Sequence, residues 1–82
     1  MEKLEISNFD KEICRILKGD YFPAYNKEVE ERWEDGRFFI TAENEEGQKL
    51  KLKFCREYQY DDIVIVMYDD FYGDCLTSVH AA

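Results

Sequence analysis

Residues 29–54, VEERWEDGRFFITAENEEGQKLKLKF, decide the fold, because two turn signals within them fix strand pairing independently. Asp35-Gly36 is a pair that a two-residue type I′ hairpin turn selects, since both central residues need positive φ. Such a turn sets Glu34 opposite Arg37, Trp33 opposite Phe38 and Val29 opposite Ala42. Asn44-Glu45-Glu46-Gly47 suits a type I turn followed by a glycine in the left-handed region, closing the next pair of strands at Asn44 and Gln48. That register sets Phe38 opposite Phe54, Ile40 opposite Leu52, Ala42 opposite Leu50 and Glu43 opposite Lys49. Successive strand side chains point to opposite faces, so both turns place the same apolar residues on one face. Agreement between unrelated turn chemistries favours both registers. Trp33 is expected in the core, while Lys51 and Lys53 share the outer face with Glu30 and Arg32.

Glu31 is the exception, because this register points it inward beside Ile40. An unpaired buried carboxylate costs several kcal/mol, so it should lie at the sheet edge or be turned outward by a bulge. Upstream, SNFDKEICRILKGD reads as an amphipathic helix with Ser7 as N-cap, Asp10 completing a capping box and Gly19 as the stop. Phe9, Ile13, Ile16 and Leu17 form its expected apolar stripe. Phe22 precedes Pro23 and is pushed out of helical dihedrals, which makes YFPAYN a connector. Downstream, Ile63 to Met67 form a strand that is apolar on both faces, as a doubly covered strand would be. The carboxy-terminal CLTSVH, the amino-terminal MEKLEI and a second copy of the chain are the candidates to cover its second face. The fold class is therefore α+β, a single domain over 1–82. An amino-terminal helix packs on an antiparallel sheet of residues 28–34, 37–43, 49–56 and 62–68, with a fifth strand if CLTSVH pairs.

A content of 45% apolar and 16% aromatic residues supports a folded core, since disordered chains of similar charge lack these types. The charged amino-terminal segment and the absence of a long apolar run lead us to expect a cytoplasmic protein without a membrane span. Cys14, Cys55 and Cys75 are odd in number and widely spaced, which suits buried thiols rather than disulfides or a CxxC site. A net charge of −8 argues against direct contact with nucleic acid or anionic lipid and favours a basic partner. The charge is also uneven: after Arg56 no Lys or Arg follows, while Glu57, Asp61, Asp62, Asp69, Asp70 and Asp74 are all acidic.

The segment YDDIVIVMYDDFYGD, residues 60–74, holds most of these acids. Its aspartate pairs flank a strand and stand roughly 20 Å apart, so they do not chelate one ion, and DDFYGD lacks the ligand alternation of a calcium loop. His80 and Cys75 are too far apart along an extended segment to form a nucleophile and base, and no glycine-rich phosphate loop occurs. No cofactor and no catalytic residue is therefore expected. Exposed aromatics beside uniform charge are instead what anchor and steer a macromolecular partner. Asp61, Asp62, Tyr68, Asp69, Asp70, Tyr72 and Asp74 are the candidate partner-binding residues.

In composition, residues 57–74 resemble the small acidic inhibitors that bacteriophages direct against nucleic-acid-binding defence enzymes, anti-CRISPR proteins among them. The resemblance implies a non-enzymatic nucleic-acid mimic whose partner is a basic nucleic-acid-binding enzyme, with carboxylates on alternate strand positions about 7 Å apart standing in for phosphates. An immunity protein or antitoxin that neutralises a basic toxin has the same charge logic. A structural subunit that homodimerises through Ile63–Met67 is the third reading.

Overall fold

The computed structural model describes residues 4–81. One helix, α1 (Asn8–Tyr21), precedes β1 (Lys27–Glu34), β2 (Arg37–Glu43), β3 (Lys49–Gln59), β4 (Asp62–Asp69) and β5 (Cys75–His80). The five strands are antiparallel neighbours in chain order, and α1 lies on one face, an α+β architecture. CLTSVH is thus the fifth strand rather than a cover for the sheet.

Both expected turns form. Asp35 and Gly36 have φ of 53° and 77°, and Glu34 pairs with Arg37 and Trp33 with Phe38. Gly47 has φ of 77°, and β2 and β3 pair in the expected register from Phe38–Phe54 to Glu43–Lys49. Beyond the first turn, one expectation fails. A bulge between Glu28 and Glu30 leaves Val29 without a ladder partner, so Glu28 takes the place opposite Ala42 and Val29 is 47% exposed. Glu31 does face the helix side beside Ile40, as the register requires, and the edge position of β1 resolves its cost. Arg15 of α1 donates from Nε and Nη2 to its two carboxylate oxygens at 2.7 and 2.8 Å. A two-pronged, charge-assisted pair of this kind compensates a partly desolvated carboxylate.

Ser7 caps α1 as expected: its hydroxyl accepts from the Asp10 N–H at 3.1 Å, and the Asp10 carboxylate accepts from the Ser7 N–H at 2.9 Å. The helix nevertheless runs through Gly19 to Tyr21 and stops at Phe22, where Pro23 removes the next donor. Its inner face is Asp10, Cys14, Leu17 and Lys18, while Phe9 and Ile16 are exposed, a rotation of the expected stripe. Asp10 goes inside because capping the helix and pairing with Arg56 at 3.8 Å offset its desolvation.

Ile6, Cys14 and Leu17 close over Phe38, Ile40, Leu52, Phe54, Ile65 and Met67 to form the core. Ile6 belongs to the amino-terminal segment proposed to cover the second face of β4, and it packs on the helix side instead. Residues 1–3 of that segment lie outside the described residues. The indole of Trp33 is half-exposed at 45%, not a core side chain, and is held at the rim by its N–H bond to the Ile6 carbonyl at 2.8 Å.

On the outer face, Val64 and Val66 are 4% and 5% exposed although, among the described residues, no helix or strand lies over them. Cross-strand neighbours supply the cover. Tyr68 donates its hydroxyl to Glu57, the partner of Val64, at 2.5 Å, so its side chain crosses the row that contains Val66 and Cys55. Among the described residues no helix is long and apolar enough to cross a membrane.

Candidate functional site

β4 holds the predicted binding residues at two separate places. Asp61 lies in the turn between β3 and β4, and Asp62 opens β4 opposite Gln59. Tyr60, beside them, has φ of 57° and is 98% exposed. At the far end, roughly 23 Å away along the strand, Asp69, Asp70, Tyr72 and Asp74 surround the turn into β5. The two groups therefore share a strand but not a surface point.

The second group is built by a local hydrogen-bond pattern. The Asp69 Oδ1 accepts from the N–H groups of Phe71 and Tyr72 at 2.7 and 3.2 Å, a turn that aspartate favours because its short side chain reaches its own downstream backbone. The Gly73 N–H donates to the Asp69 carbonyl and the Asp69 N–H to the Asp74 carbonyl, so Gly73, at φ 79°, reverses the chain into β5. Phe71 and Tyr72 stack edge to face at 4.7 Å between centroids and remain 78% and 75% exposed. With Lys49, Leu50, Lys51 and Asp69 they line an open cleft of about 400 Å³.

Tyr68 does not join this group. It is half-buried on the outer face and bonded to Glu57, whose carboxylate, with burial, holds the phenol proton on well above its ordinary value. Lys53 stands over the Tyr68 ring at 5.1 Å from its centroid. Phe71, Lys49 and Lys51 stand outside the set of binding residues expected from the sequence, and it is the register that brings the lysines near the turn, through the bond from the Asp70 N–H to the Lys51 carbonyl.

Asp61, Asp69, Asp70 and Asp74 make no ion pair with any described residue; Asp62 meets only His80, at 3.8 Å. Arg56, the last Lys or Arg in the sequence, is directed to Asp10 on the helix side. The evenly spaced row of carboxylates expected of a phosphate mimic is carried by none of the described strands. On β1, Arg32 separates Glu30 from Glu34 and pairs with both, at 3.8 and 3.1 Å, and the alternate outer positions of β3 are Lys49, Lys51 and Lys53.

The thiols divide by depth rather than all being buried. Burial, with Asp10 nearby, pushes Cys14 up to about 12; burial also raises the half-buried Cys55; Cys75 is exposed. Cys75 and His80 occupy opposite ends of β5. Among the described residues no group of three or more His, Cys, Asp or Glu side chains is arranged to hold a metal ion. No family model, no curated protein and no solved structure matches this chain.

Proposed function

We propose that this domain is a non-enzymatic protein-interaction module that binds a basic partner and blocks that partner's cationic surface, the surface that a nucleic-acid-binding protein offers to its ligand. The observation that carries the reading is the set of carboxylates at both ends of β4, of which Asp61, Asp70 and Asp74 make no ion pair with any described residue, on a stretch of sequence that holds no Lys or Arg after Arg56. Uncompensated charge of this kind raises the association rate of an oppositely charged partner, and the exposed Phe71 and Tyr72 supply apolar contact beside it. An immunity protein facing a basic toxin would use the same features. The dimerising subunit has less behind it, because Val64 and Val66 are already covered by neighbouring side chains.

The test is affinity capture from host lysate on the immobilised domain, with heparin as competitor and with an Asp70→Lys, Asp74→Lys variant as control. The expected result is a basic protein that heparin releases and that the variant fails to retain. Capture that is indifferent to both heparin and charge reversal would overturn the proposal.

A further inference from the structure

We infer that the free edge of β5 is the docking element of this module, and that its occupant is an extended segment of the basic partner, six to eight residues long, with Lys or Arg at each end. This rests on the proposed basic partner and adds where and how that partner sits. β5 is paired only with β4, and among the described residues nothing bonds its other edge. The Ala81 N–H donates to the Ile63 carbonyl, so by antiparallel alternation Thr77 and Val79 turn their backbone groups to β4. Ser78 and His80 then turn theirs outward, where an added strand would take them.

The two edges of the sheet differ in a way that selects β5. β1 carries Lys27, Glu28, Glu30, Glu31, Arg32 and Glu34 and is bent by its bulge, the features that keep an edge from pairing. β5, CLTSVH, has no Lys, Arg, Asp, Glu or Pro, and a bulge is confined to its first residues. Charge decides the occupant. Asp69, Asp70 and Asp74 lie at one end of β5 and Asp61 and Asp62 at the other, a span of roughly 23 Å that matches a strand of seven or eight residues. A second copy laid antiparallel along β5 would bring its own aspartates against these, whereas a strand with a cation at each end meets carboxylates at both. Tyr21, 55% exposed with its hydroxyl 3.2 Å from that of Thr77, offers the incoming strand a ring to pack on from the helix side.

The probe is an eight-residue peptide with lysine at each end and alternating threonine and valine between, titrated against the intact domain while amide hydrogen exchange is followed. Ser78 and His80 amides should gain at least tenfold protection, and a peptide with glutamate at both ends should give none. Ser78→Pro removes an outward donor without touching the ladder to β4 and should weaken binding at least tenfold; Asp61→Lys with Asp70→Lys should do the same. If Ser78→Pro disturbs the fold, a peptide N-methylated at alternate residues removes the same bonds from the other side and should not bind. The inference is overturned if millimolar peptide leaves both amides unprotected. It is also overturned if their protection rises with domain concentration alone, which would place a second copy there. Should the captured basic protein bind Ser78→Pro with full affinity yet be lost on aspartate reversal, the edge is wrong while the module reading stands.

Discussion

Arg15 and Glu31 show how a residue that breaks a pattern can still belong to it. Glu31 lies on the face the hairpin register assigned, and α1 supplies the guanidinium that makes the position tolerable. The bond from Arg15 holds the Glu31 carboxyl below its ordinary value, while burial and the neighbouring Glu31 raise Glu28. A depressed carboxylate contributes stability that is present above its unfolded value and lost as the pH falls through its folded one. Solvent reaches both partners, so the discounted contribution is about 1 kcal/mol. Arg15→Ala should therefore cost about that much at pH 7 and progressively less as acid protonates Glu31. Urea unfolding at neutral and acidic pH measures it, and an equal loss at both would assign the effect to packing of the guanidinium against Phe38, 5.5 Å away.

At the scale of elements, the turns were the legible part. Positive φ is a requirement that few residues meet, so Asp35-Gly36 and Gly47 announce themselves, and each fixes a register several residues long. The bulge at Val29 has no such signal, since Val29 fits a regular strand and only the ladder beyond Thr41 reveals the extra residue. The helix face departs from the expected stripe for a related reason. Apolar periodicity points to Phe9 and Ile16, whereas Asp10 and Lys18 lie inside, the first because it caps the helix and meets Arg56. Trp33 shows the limit of alternation: it names a face correctly but not how far from the sheet edge the cover extends. The candidate site was legible as composition only, because which acids meet depends on how far β4 separates them and on turns after Asp69 and Tyr60. Gly36 and Gly47 share a φ of 77°, yet a Cβ at Gly36 would stand 2.9 Å from the Glu5 Cγ, while at Gly47 it meets open space. Both alanine variants should lose about 1 kcal/mol to backbone strain. Gly36→Ala should lose more, because the crowding falls where the Ile6 N–H bonds the Gly36 carbonyl at 2.8 Å. Chemical denaturation of the pair tests this, and equal losses would mean that Glu5 yields freely.

Across the whole molecule, 44 Å in its longest extent, charge and exposed aromatics are distributed by the same strand order that builds the core. No Lys or Arg follows Arg56 in the sequence, and Asp61, Asp69, Asp70 and Asp74 at the ends of β4 make no ion pair with a described Lys or Arg, although Lys49 and Lys51 border the cleft at one end. The role of Asp69 differs from that of its neighbours, since its carboxylate organises the turn that presents Phe71 and Tyr72. Reversing Asp69 would therefore confuse electrostatics with loop structure, and Asp70 and Asp74, both exposed, are the informative pair. Distant charges act on encounter, so Asp70→Lys with Asp74→Lys should slow association with the basic partner about tenfold or more while leaving unfolding stability near that of the parent. The difference should shrink as added salt shortens the Debye length from about 10 Å at 0.1 M to about 3 Å at 1 M. Tyr72→Ala removes contact area rather than charge and should chiefly speed dissociation. Stopped-flow association at two salt concentrations separates the two effects. Rates indifferent to both salt and charge reversal would make the aspartates ordinary solvated turn residues, and would leave the exposed aromatics as the part of this surface that a partner contacts.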